Sequence, residues 1–149
     1  MSKAPAIVLA FVVVVSLGVS GYLLFNKNES ERITQIRKKA EAGDATAQFQ
    51  LGQLYIRGNI RAGLERDDEQ AAQWLQRAAE QAHQPAQYAL GVFCQTAGDD
   101  VGAYVWLSIV ASRTNDLAAQ LRDATADQMT EAQLVEARQM IGELQGEIK

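Results

Sequence analysis

Four places along the chain carry side chains that could do chemistry. Cys94 is the one cysteine, His83 the one histidine, and Asp67-Asp68 and Asp99-Asp100 are pairs of adjacent carboxylates. A cysteine nucleophile needs a base beside it, and the sequence places none next to Cys94. His83 stands two positions before Pro85, where a turn residue is expected. Each aspartate pair sits at the start of a helical pattern, where free N–H groups and the helix dipole already account for it. No phosphate loop, dinucleotide fingerprint or metal-ligand spacing is present. The chain therefore reads as non-enzymatic, with no catalytic residues, no metal and no cofactor.

These residues belong to a pattern written twice. Ala-Gln-Phe-Gln-Leu-Gly at Ala47–Gly52 returns as Ala-Gln-Tyr-Ala-Leu-Gly at Ala86–Gly91, 39 positions on. Ala71-Ala72-Gln73-Trp74-Leu75 returns as Ala103-Tyr104-Val105-Trp106-Leu107 after 32. The helical parts agree and the connector differs by 7 residues, the mark of a helical repeat array. In the first helix of repeat one, Ala47, Leu51, Leu54 and Tyr55 form the apolar stripe. Ala86, Leu90, Phe93 and Cys94 form it in repeat two, so Cys94 takes the slot of Tyr55 and reads as core. Gly52 and Gly91 stand mid-helix, where glycine costs up to about 1 kcal/mol against alanine. That cost is expected where two helices approach closely. The second helices carry Ala71, Leu75, Ala78 and Ala79, then Ala103, Leu107, Val110 and Ala111, with Trp74 and Trp106 packed among them.

The connector of repeat one, Gly58 to Arg66, is a glycine-punctuated loop; in repeat two it shrinks to Ala97-Gly98. Asp116 opens a short helix with Leu117, Leu121 and Ala124. Thr130 and Gln133 form a capping box for a last helix, in which Leu134, Ala137, Ile141, Leu144 and Ile148 make an apolar seam. Its glutamate-rich opposite face suits a terminal cap.

Ahead of the repeats, Ala6 to Phe25 runs 20 residues without a charge. As a helix it would span about 30 Å, the thickness of a hydrocarbon core. A cleaved signal peptide, with Gly18-x-Ser20 as the site, is the competing reading. The apolar run continues past that site, which favours an uncleaved anchor. Lysine and arginine counts on the two sides would hold the following domain in the cytoplasm. The leading tail is very short, however, and long domains translocate largely regardless of charge. The expected placement is a single pass in the inner membrane with the repeats in the periplasm; a cytoplasm-facing domain is the alternative.

The net charge of −4 is unevenly spread. Residues 26–66 hold eight basic and five acidic side chains, and residues 67–149 five basic and thirteen acidic. No basic patch with interleaved aromatics is present to neutralise phosphates, so nucleic acid is not an expected partner.

The run Ala42-x-x-x-Thr46-Ala47-Gln48-x-x-Leu51-Gly52-x-x-Tyr55-x-x-Gly58, with Asp68-x-x-x-Ala72, Trp74-Leu75 and Ala79, resembles the Sel1-like repeat, a relative of the tetratricopeptide repeat. Pro85-Ala86-x-x-x-Leu90-Gly91 and Ala103-Tyr104-x-Trp106-Leu107 match it again; Cys94 for tyrosine and the short connector depart from it. The resemblance covers roughly residues 41–140. It implies an all-α fold, a short α-solenoid of Sel1-like helix pairs; the apolar run, which lies outside the resemblance, adds a single transmembrane helix before it. The expected organisation is an anchor over 1–27, a linking helix over 28–42, repeats over 43–82 and 83–114, and a degenerate repeat with a capping helix over 115–149.

The resemblance further implies a scaffold for protein–protein interaction, of a kind found in bacterial envelope assembly. The expectation is a membrane-tethered scaffold or assembly factor that takes a protein or peptide on the concave face of the repeats. A permanent accessory subunit of a larger membrane complex is the alternative. Candidate partner-binding residues are the first-helix positions that the core pattern leaves outward: Gln50, Gln53, Arg57, Val92 and Gln95. Membrane lipid would be met through the N-terminal helix.

Overall fold

A computed structural model describes residues 19–21, 27–113 and 116–147. Among the described residues from 27 onward the α-helices are, in order, α1 (residues 27–41), α2 (Ala45–Arg57), α3 (Asp68–Glu80), α4 (Gln84–Ala97), α5 (Asp100–Ala111), α6 (Asp116–Ala126) and α7 (Glu131–Glu147). The apolar stretch Ala6–Phe25 lies almost wholly outside the described residues. Among the described residues no helix is long and apolar enough to cross a membrane.

The helix starts are set by side chains that take up orphan N–H groups. Asp44 accepts from the Ala47 N–H at 2.7 Å, Asp67 from Gln70 at 2.9 Å and Asp99 from Gly102 at 2.9 Å. His83 Nδ1 accepts from the Ala86 N–H at 3.3 Å, which gives the lone histidine a capping role. Asp68 does not cap α3; it lies in the first turn. At α7 the Thr130 N–H donates to Gln133 Oε1, and the Gln133 N–H donates back to Thr130 Oγ1.

Three clusters hold the helices together. Ala40 of α1 packs with Ala47, Leu51 and Trp74, flanked by Ile36 and Tyr55. Leu75, Ala78, Ala86, Leu90, Trp106 and Ile109 form the main core across α3, α4 and α5. Ala103, Leu107, Val110 and Ala118 join α5 to α6. Helix α7 lies against α5 and adds Ala137 to the main core, with Ile141 and Leu144 half-buried beside it. Its seam is thus used within the chain, as a cap uses it; Ile148 lies outside the described residues.

Two buried glutamines repeat a contact that the apolar pattern does not show. Gln48 Nε2 donates to the Ala40 carbonyl at 3.1 Å, and Gln87 Nε2 donates to the Ala79 carbonyl at 3.0 Å. Each amide reaches back 8 residues to the end of the preceding helix. Helix α1 therefore stands to α2 as α3 stands to α4: it is more than a linker. Leu54 and Tyr55, expected in the core, are half-buried, and Gln48 is the buried member in their place.

Candidate functional site

The connector between α2 and α3 is an ordered loop. An isolated antiparallel bridge joins Asn59 and Leu64, and a 3-10 turn spans Ile60–Ala62. Leu64 is buried, whereas Ile60 is 90% exposed. Gly58 sits at φ 66°, and a Cβ there would meet the Arg66 backbone nitrogen at 3.0 Å, so the turn requires glycine. The loop is tied to the start of α1: Asn59 Nδ2 donates to Glu29 Oε1 at 3.2 Å, and Ser30 Oγ donates to the Ala62 carbonyl at 3.4 Å.

This docking makes an open groove between α1 and the C-terminal half of α2. Gln50, Gln53 and Arg57 line it from α2, and Glu29, Arg32 and Asn59 face them. Ile36 and Leu54 supply its apolar floor. Arg57 Nη2 donates to Gln53 Oε1 at 3.0 Å, and Arg32 Nη2 donates to Glu29 Oε1 at 2.9 Å. Glu29 is thus held between Arg32 and Asn59, and among the described residues Arg57 makes no ion pair. Amides, a guanidinium and a short apolar floor can bind peptide groups and a carboxylate.

Of the five residues expected to bind a partner, Gln50, Gln53 and Arg57 share this groove. Val92 and Gln95 do not line it. Val92 is half-buried on α4, and Gln95, expected to face outward, donates its amide to Thr125 Oγ1 of α6 at 3.1 Å. That bond ties the Gln95 amide to α6. Glu29, Arg32 and Asn59 were not foreseen, because two of them lie in α1 and the third in the connector.

The other chemistry-bearing residues have structural roles. Arg66 and Asp68 form a two-pronged pair at 2.9 Å on each arm. The hydrogen bond from Arg66 holds the Asp68 carboxyl below its ordinary range, and the same bond raises the guanidinium. Burial, with help from the Asp99 carboxylate, pushes the Cys94 thiol up to about 12. A thiol held protonated is a poor nucleophile. Arg77 stacks over Trp74 at 4.6 Å, and the Trp74 ring itself packs against α1 and α2. Among the described residues no group of three or more potential ligands could hold a metal.

Comparison with known proteins bears on the same elements. The family model of the Sel1 repeat matches residues 45–83 and 84–104, which span α2 to α3 and α4 to the first part of α5. No curated protein sequence matches the chain at a significant level. Among solved structures, the chain is similar to c5321, a protective antigen present in uropathogenic Escherichia coli strains and displaying an SLR fold. The TM-score is 0.70 at 29% identity, over 80% of this chain and 26% of the antigen chain. The chain thus spans about a quarter of the antigen's length. The architecture is an all-α helical-repeat solenoid of this SLR type, a fold that generally serves as a protein–protein interaction scaffold.

Proposed function

We propose that the chain is a membrane-tethered scaffold that holds a protein or peptide partner in the groove between α1 and α2, as an assembly or accessory factor. The observation that carries this reading is the convergence of Gln50, Gln53 and Arg57 with Glu29, Arg32 and Asn59 in one open, polar groove. Stacked helical repeats use such grooves between neighbouring units to take partners. Arg57 would meet a partner carboxylate, and the glutamine amides would meet peptide groups of an extended segment. The apolar stretch Ala6–Phe25 would anchor the chain in the inner membrane with the repeats on the periplasmic side. Tethering raises the local concentration of the groove near membrane partners.

A photo-crosslinking residue placed at Gln53 of the full-length chain, in its native cells, tests this. The control position is the exposed Asp127, after α6. A discrete adduct at Gln53 that Arg57→Glu abolishes, with none at Asp127, supports the groove, and the compartment of the adduct's partner fixes the topology. Equal labelling at both positions, or none at Gln53, sinks the reading.

A further inference from the structure

A second groove, sharing no lining residue with the first, runs between α3, α4, α5 and α7. Its walls are apolar: Leu90 and Phe93 come from α4, Trp106 from α5, and Met140 and Leu144 from α7. Met140 is 38% exposed, an unbranched and adaptable side chain at the mouth. Two carboxylates, Asp99 and Glu143, line the groove, and no lysine, arginine or histidine does. The Asp99 carboxylate accepts from the Gly102 N–H and from the Cys94 thiol, and Glu143 takes one hydrogen bond from Gln139. Both carboxylates stand at the edge of an apolar trough. The surrounding half of the chain carries thirteen acidic and five basic residues, so the field around the trough is negative as well.

We infer that this groove binds a basic amphipathic segment of a partner protein, with its apolar side on Phe93, Trp106 and Met140 and its lysines or arginines at Asp99 and Glu143. Charge complementarity selects this occupant. An uncharged apolar peptide would strip water from two carboxylates and return no partner to them. Nucleic acid and anionic lipid meet like charge. A second copy of this chain offers the basic run Arg37-Lys38-Lys39, but the apolar residues of that helix, Ile33, Ile36 and Ala40, are already packed in its own fold. Rim carboxylates of this kind act through encounter rate and salt dependence, and the apolar floor holds the complex once formed.

The test uses the full chain in nanodiscs of zwitterionic lipid, with empty nanodiscs as the blank. The probe is a fluorescein-labelled synthetic helix with leucines on one face and lysines on the other, followed by anisotropy at low and high salt. Binding that weakens with salt is expected. Glu143→Lys and Met140→Lys, both at exposed positions and each checked for native helicity, should weaken it by about tenfold, a loss of about 1.4 kcal/mol. Asp127→Lys makes the same charge change away from the groove and should leave binding nearly unchanged. The proposal is overturned if Asp127→Lys weakens binding as much as Glu143→Lys, if neither groove variant matters, or if a leucine–glutamate helix binds equally well.

Discussion

Gly91 leaves no room for a side chain beside Leu107: a Cβ on it would lie 2.9 Å from Leu107 Cγ. Gly52 stands in the same relation to Leu75, at 2.8 Å. The partners are 16 residues apart in one repeat and 23 in the other, yet the contact is the same. The first helix of each pair thus lies tightly on its second helix, and the mid-helix glycines are retained for that approach. Gly91→Ala should destabilise the fold by about 1–3 kcal/mol in urea unfolding, the range for overpacked cores. In a Leu107→Ala background the same change should be neutral or favourable, because alanine is the better helix former by about 1 kcal/mol. A stabilising Gly91→Ala with Leu107 intact would refute the close-packing account.

The buried glutamines should be unequal. Gln48 donates to the Ala40 carbonyl and also accepts from Gln81 Nε2 at 2.7 Å. Gln87 donates to the Ala79 carbonyl, but its Oε1 is buried without a hydrogen-bond partner. Both carbonyls keep a second donor, the Gly43 N–H at Ala40 and the Ala82 N–H at Ala79. Gln48→Met gives up both of these hydrogen bonds, while the exposed Gln81 amide keeps the Arg77 carbonyl, and should cost about 1–2 kcal/mol. Gln87→Met relieves an unpaired oxygen and should cost less than about 1 kcal/mol. Paired denaturation curves decide, and the reverse order would show that the Gln87 oxygen is satisfied in solution.

Much of this was readable from the apolar period and the repeat, and what was missed has physical reasons. The stripe Ala47, Leu51 and its copy Ala86, Leu90 foretold the core, and Gly52 and Gly91 foretold the close approach. Gln48 and Gln87 were passed over because glutamine is mostly exposed in proteins. Their signal was available: Gln48 and Gln87 are 39 residues apart, and so are Ala40 and Ala79, which they bind. The groove was half visible. Gln50, Gln53 and Arg57 follow from helix spacing, but Glu29 and Asn59 meet them only because the connector docks on α1. Gln95 looked outward for want of any pattern that would bring Thr125 of α6 to its amide.

Cys94 gives the chain an alkaline limit. Its thiol is pushed up to about 12 in the fold, first by burial and then by the Asp99 carboxylate, against an ordinary value of 9.0. Below the ordinary value the thiol is protonated folded or unfolded, and its contribution to stability is fully present. As pH climbs from there toward the folded value, the unfolded chain ionises and the folded chain does not, so that contribution is lost. Unfolding free energy should therefore fall faster with pH above about 9 in the native chain than in Cys94→Ala. Identical slopes would mean that the thiol ionises as easily in the fold as out of it.

The His83 cap, at 3.3 Å, is longer than the three aspartate caps at 2.7–2.9 Å. Its ring also lies 5.2 Å from that of Phe49. His83→Ala removes both and should cost about 1–2 kcal/mol. His83→Asp restores a stronger acceptor and complements the helix dipole, so it should recover about 1 kcal/mol of that loss. Thermal melts of the three chains test the order; an aspartate no better than alanine would leave the ring contact as the residue's whole contribution.

The junction before α4 holds one strained residue. Ala82 adopts φ 59°, a left-handed conformation that costs a side-chain-bearing residue roughly 1–2 kcal/mol. Thirty-nine positions earlier, at the junction before α2, the chain uses Gly43 at φ 95°. Both residues close the preceding helix and point the chain toward a capping residue, Asp44 or His83. The left-handed step is therefore demanded by the junction, and the junction before α4 meets it with the less suited residue. Ala82→Gly should stabilise the fold by about 0.5–1 kcal/mol, after glycine's larger loss of freedom on folding is set against the strain removed. Gly43→Ala should destabilise it by about 1 kcal/mol, with open space around the position and the backbone alone at stake. Opposite signs in the two unfolding experiments are the expected result. Equal destabilisation by both would mean that Ala82 makes a contact its methyl group needs, and that the two junctions are not equivalent.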